Sequence, residues 1–90
     1  MTVKINENFV LQQVADESIV VPVGEATKRL HGVIKLNSTG TFLWKMLENK
    51  NLSQEELVQE LLSEFSADAN QAREDVSIFV QQLNSFGCLE

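Results

Sequence analysis

Leu30-His31-Gly32-Val33-Ile34-Lys35-Leu36-Asn37-Ser38-Thr39-Gly40-Thr41-Phe42-Leu43-Trp44-Lys45-Met46-Leu47 is where the chain changes its hydrophobic period. Up to Leu36 the apolar residues come in short β-branched runs, the pattern of strands. From Asn37 onward they recur at three- and four-residue spacing, the pattern of one helix face. Upstream of the change lie two further strand-like runs, Phe9–Val14 and Ile19–Val23. The polar turn Ala15–Ser18 separates them, and Gly24–Arg29 links the second to Leu30–Leu36. Links this short favour an antiparallel meander, because parallel neighbours need a longer crossover. Pro22 cannot donate to a ladder and belongs at a strand end or a bulge.

Downstream, three helices are predicted. Asn37 or Ser38 caps the first, which runs to about Glu48 with Leu43, Met46 and Leu47 on one face and Phe42 and Trp44 beside it. Ser53 with Glu56 has the spacing of a capping box, opening a second helix with Leu57, Val58, Leu61, Leu62 and Phe65 as its apolar stripe. Asp68 with Gln71 repeats that spacing before a third helix, whose Ala72, Val76, Phe79, Val80, Leu83 and Phe86 face inward and whose stop is Gly87. Ile78 falls outside that stripe, on the flank it shares with Asp75 and Gln82, and reads as a contact residue. Neither class of element can bury its apolar face alone, so helices packed on a small sheet are expected. The fold class is α+β: a three-stranded antiparallel sheet followed by three helices, in one domain over residues 1–90. A three-stranded sheet also leaves an edge that an extended segment can join.

Ninety residues allow one modest core and exclude a multidomain enzyme. With 43% hydrophobic and 22% charged residues the composition is that of a globular domain, not of a disordered tail. No apolar run approaches membrane-spanning length, and the N-terminus has no secretory pattern, so a cytoplasmic protein is expected. The lone Cys88 has no partner for a disulfide or a CxxC zinc site and reads as a small buried residue. Residues 1–50 carry six cations against five carboxylates, a net +1, whereas residues 51–90 carry Arg73 alone against eight carboxylates, a net −7. An acidic half repels phosphate backbones and suits neutral or basic partners.

Residues for catalysis are missing from the pattern. His31 is the one histidine, with no second His or thiol near it in sequence to suggest a metal site. Ser38 and Thr39 precede Gly40 without the nucleophile elbow or an evident base. The glycines at 24, 32, 40 and 87 make neither a phosphate loop nor a dinucleotide fingerprint, and the carboxylates at 55, 56, 60 and 64 read as a solvated helix face. Neither an enzyme nor a cofactor or metal site is expected.

Leu36-Asn37-x-x-Gly40-x-x-x-Trp44, together with Ser53-x-x-Glu56-Leu57 and Asp75-Val76-x-x-Phe79-Val80-x-x-Leu83-x-x-x-Gly87, resembles the PqqD-like family of peptide chaperones from pyrroloquinoline quinone biosynthesis. The resemblance runs from about Phe9 to Leu89. Each motif residue has a structural reading too: Asn37 as a cap, Gly40 for close approach, Trp44 as a packing unit. The resemblance implies a winged-helix-like domain that recognises ribosomally made, post-translationally modified peptides. In such a domain the leader of a precursor peptide adds as a strand along the third strand and lies against the third helix, while a modifying enzyme, often a radical SAM protein, works on the core segment. Carried onto this chain, the peptide-binding residues would be Leu30, His31, Gly32, Val33, Ile34, Lys35 and Leu36 on the strand, and Asp75, Ile78, Phe79 and Gln82 on the helix, with Phe79 readable equally as core. The resemblance does not assign the chain to quinone synthesis, because many peptide pathways use this domain.

Two other readings use the same elements. A winged helix-turn-helix regulator would place the third helix in a DNA groove, but Arg73 against Asp68, Glu74 and Asp75 is far from a basic footprint. A protein-interaction subunit without a precursor peptide is the other. Homodimerisation through the open third-strand edge would compete with leader binding. The expected partners are therefore a leader peptide and a modifying enzyme, with no nucleic acid and no membrane.

Overall fold

The computed structural model describes residues 2–28, 33–65 and 68–90. Its elements run β1 (Thr2–Val3), β2 (Phe9–Val14), β3 (Glu17–Pro22), a 3-10 turn (Gly24–Lys28), β4 (Ile34–Leu36), α1 (Ser38–Asn49), β5 (Leu52–Ser53), α2 (Gln54–Glu64) and α3 (Ala69–Phe86). The expected α+β architecture is present: β2, β3 and β4 form an antiparallel sheet in that order, and three helices follow.

Alternation decides which sheet face is buried. Phe9, Ser18, Val20 and Ile34 point into the core, and Val20 pairs with Ile34 across the β3–β4 ladder. On the opposite face Val10 pairs with Val21, Gln12 with Ile19, and Ile19 with Lys35. Trp44, Leu43, Leu57, Leu61, Val76 and Leu83, all nearly inaccessible, fill the space between the sheet and the helices. Phe86 stands edge-on to Phe9, with ring centroids 6.3 Å apart, and so ties the end of α3 to β2.

Local signals explain most boundaries. The Gly40 amide donates to Asn37 Oδ1 at 2.8 Å, which starts α1. Ser53 and Glu56 form the full capping box: the Glu56 amide donates to Ser53 Oγ at 3.1 Å, and the Ser53 amide donates to Glu56 Oε1 at 2.9 Å. Gly87 ends α3 in the left-handed region at φ 80°, and its amide donates back to the Asn84 carbonyl.

Several expectations are corrected. Asp68 occupies the N-cap of α3 but makes no side-chain cap bond, and the Gln71 side chain, the other half of the expected box, donates to Asp75 Oδ1 at 2.9 Å. The β2–β3 turn is tighter than Ala15–Ser18: Ala15 takes a positive φ of 56°, pairing resumes at Val14↔Glu17, and Ser18 is buried in the strand with its Oγ accepting from Gln13. The second strand ends at Pro22, as its missing N–H requires, rather than at Val23. Of the expected third strand Leu30–Leu36, Ile34–Leu36 is paired; Leu30, His31 and Gly32 lie outside the described residues. Trp44 is core rather than flank, only 1% exposed, with Nε1 donating to Glu48 at 3.2 Å.

One feature has no sequence signal. β1 and β5 pair through Thr2↔Ser53 and Val3↔Leu52, and Ile5 bridges to Leu89. The Asn6 amide donates to the Cys88 carbonyl at 2.7 Å, the Glu90 amide to the Lys4 carbonyl at 2.9 Å, and Lys4 lies 3.9 Å from Glu90. Residues 4–6 and 88–90 thus run side by side.

Candidate functional site

β4 is hydrogen-bonded on one side only. β3 takes that side through Ser18↔Leu36, Ile19↔Lys35 and Val20↔Ile34, and among the described residues no strand takes the other. An edge of this kind presents unpaired main-chain N–H and C=O groups to any extended segment that reaches it.

A groove runs between this edge and α3. At one end Lys35 and Leu36 face Asp75, Ile78, Phe79 and Gln82, with Asn37, Thr39 and Gly40 at the start of α1 closing that end. At the other, Val33, Ile34 and Lys35 face Gln82, Ser85 and Phe86. The low-numbered end of β4 therefore lies beside the high-numbered end of α3, so strand and helix run in opposite directions along the groove.

The four helix residues singled out from the sequence thus come together with the end of β4. Their roles differ in burial. Ile78 is 55% exposed and Val33 50%, free to contact a ligand, whereas Phe79 is 4% exposed. Phe79 is core and also borders the groove. Ile34 is likewise buried, while Lys35 is exposed and Leu36 half-buried, as alternation along a strand requires.

Sequence reasoning assigned Asn37, Thr39, Gly40 and Phe86 to the fold and left out Ser85. The structure puts all five on the groove wall. For the first three the signal was chain continuity, since residues that leave β4 and start α1 must border the end of that strand. Ser85 and Phe86 follow Gln82 by about one turn on the same helix flank.

The charges lining the groove are unequal. Lys35 Nζ is 2.9 Å from Glu17 Oε1, a cross-strand pair on the exposed sheet face. The one cation of α3, Arg73, is held 3.6 Å from Glu55 of α2. Asp75 accepts a hydrogen bond from Gln71 and forms no ion pair among the described residues; Lys35, which lines the same end of the groove, pairs with Glu17 instead. Those residues also contain no cluster of three or more metal-ligating side chains. No helix among them is long and apolar enough to cross a membrane.

The fold and the family have known counterparts. Among solved structures, "TbiB1 in Complex with the TbiA(beta) Leader Peptide" matches with a TM-score of 0.74 and 25% identity, covering 97% of this chain and 94% of that one. No curated protein matches the chain. The family described as "Coenzyme PQQ synthesis protein D (PqqD)" matches residues 10–89, which include β3, β4 and all three helices, and the chain therefore belongs to the PqqD family.

Proposed function

We propose that this protein is a non-catalytic peptide chaperone: it binds the leader segment of a ribosomally made precursor peptide as an added strand on β4 and presents it to a modifying enzyme. The observation that carries the reading is the unpaired β4 edge facing an α3 flank that exposes Ile78 beside Phe79. Main-chain hydrogen bonds to the edge would supply affinity, and side chains seated against α3 would supply selectivity. The likeness to a protein solved with a leader peptide bound supports the same reading. On β4 and the segment before it the peptide-binding residues are Leu30 to Leu36, and on α3 they are Asp75, Ile78, Phe79 and Gln82.

The chaperone acts by raising effective concentration: holding the leader while touching the enzyme turns an encounter of two molecules into a local search. A radical SAM maturase is the partner that the family resemblance implies, and we place the pair in the cytoplasm. A winged-helix DNA role is disfavoured by charge, since the only cation of α3 is engaged by Glu55.

An amide NMR titration with a synthetic leader peptide, from a small open reading frame beside the gene, tests the reading. Saturable shifts confined to residues 33–36 and the Asp75–Phe86 flank support it. Absence of shifts with the neighbouring modifying enzyme also present would favour a protein-interaction subunit that handles no peptide.

A further inference from the structure

The groove carries a selectivity rule for its occupant. Resting on the leader-binding reading, we infer that Asp75 is a specificity-determining residue, selecting a peptide with Lys or Arg two positions before an apolar side chain.

The groove-facing residues of α3 step from Asp75 through Ile78 and Gln82 to Phe86, eleven residues or about 16 Å along the axis. An extended peptide covers that length in about five residues, and its alternate side chains, about 7 Å apart, face the same way. One turn of helix is about 5.4 Å, so groove-facing side chains about 7 Å apart meet the three turns from Asp75 to Phe86 at three points. Three peptide positions are therefore read: one at Asp75, one over Ile78 and Phe79, and one near Gln82 and Phe86.

Order follows from topology. Every pairing in the β2–β3–β4 sheet is antiparallel, and a segment that continues the sheet in that manner runs opposite to β4. Because β4 itself runs from the Phe86 end to the Asp75 end, the added segment enters at Asp75 and leaves at Phe86. The residue that meets Asp75 comes first, and the apolar ones follow at two-residue intervals.

Charge decides the first position. Lys35, the other ionisable side chain lining the groove among the described residues, is engaged by Glu17, and Arg73 by Glu55. Asp75 is partly buried, and its one hydrogen bond, from Gln71, is neutral. A cation arriving on the peptide would form a charge-assisted bond there. A carboxylate would meet a like charge, so the site also rejects.

The test is selection of a random twelve-residue display library on the native protein and, in parallel, on Asp75→Asn and Asp75→Lys. The native protein is expected to enrich Lys or Arg two positions before an apolar residue, Asp75→Asn to lose that enrichment, and Asp75→Lys to replace it with Asp or Glu. A native-selected peptide should bind Asp75→Asn about five- to tenfold more weakly, and the difference should shrink at high salt. Equal basic content in all three selections, or a basic residue following the apolar one, overturns the rule but leaves peptide binding standing. Failure to enrich any peptide overturns both.

Discussion

Asn37 Oδ1 accepts the Gly40 amide at 2.8 Å, and a Cβ added at Gly40 would stand 3.3 Å from that same oxygen. The motif that begins α1 is thus a single packed unit in which the cap and the missing side chain occupy one space. Asn37→Ala should cost about 1 kcal/mol, while Asn37→Ser should retain most of the stability. Gly40→Val should cost about 2 kcal/mol, since the added atoms also press on Leu36, whose Cβ and Cδ2 lie 3.4 Å from the first new carbon. Urea unfolding measures all three, and an unchanged midpoint for Asn37→Ala would remove the cap from the account.

Burial separates the two neighbouring groove residues. Ile78→Gln, at an exposed position, should leave stability within about 0.5 kcal/mol and weaken leader binding about tenfold. Phe79→Ala, at a buried one, should cost about 3–5 kcal/mol, much of the stability of a domain this size. Thermal unfolding alongside calorimetric titration reads both, and parallel losses for Ile78→Gln would mean that it is structural.

Glu56 links the second helix cap to pH. Hydrogen bonds from the Ser53 amide and hydroxyl, with Lys50 as a lesser cause, lower its pKa below the ordinary 4.5. Its contribution is therefore complete above pH 4.5 and is lost as the pH falls through the lowered folded-state value. Ser53→Ala should cost about 1 kcal/mol at neutral pH and flatten the acid limb of the stability profile below pH 4.5. An acid limb as steep as the native one would place that dependence on other carboxylates.

Cys88 has the opposite sign. Burial raises its thiol pKa from 9.0 to about 11, so the unfolded chain loses that proton first. Its share of stability is present below pH 9.0 and declines as the pH rises through about 11. In the folded protein at pH 8 the thiol should resist an aromatic disulfide reagent, and it should react promptly in denaturant. Rapid native labelling would contradict its burial.

How far these features could be read in advance depends on how local their causes are. The caps at Asn37, Ser53 and Gly87 are decided within three or four residues, and each was legible. So was the exposed flank of Asp75, Ile78 and Gln82, because helical spacing alone separates it from Val76 and Leu83. The β1–β5 pair was not legible: two-residue strands carry no period, and the pairing exists only because the helices bring Leu52 to Val3. Asp68 has the spacing of a capping box, but its side chain makes no cap bond and Gln71 bonds Asp75, an outcome that spacing alone does not decide. The groove itself was half legible. The sequence marks its two walls separately, and only tertiary packing shows that the start of α1 closes one end.

The side-by-side course of residues 4–6 and 88–90 bears on how the domain is carried. Because Asn6 is bonded to Cys88 and Lys4 to Glu90, both ends of the described chain leave from one corner, next to the last turn of α3. Anything joined at either end would pivot about that single point. The domain could be spliced into a surface loop of a larger protein without altering the spacing between β4 and α3.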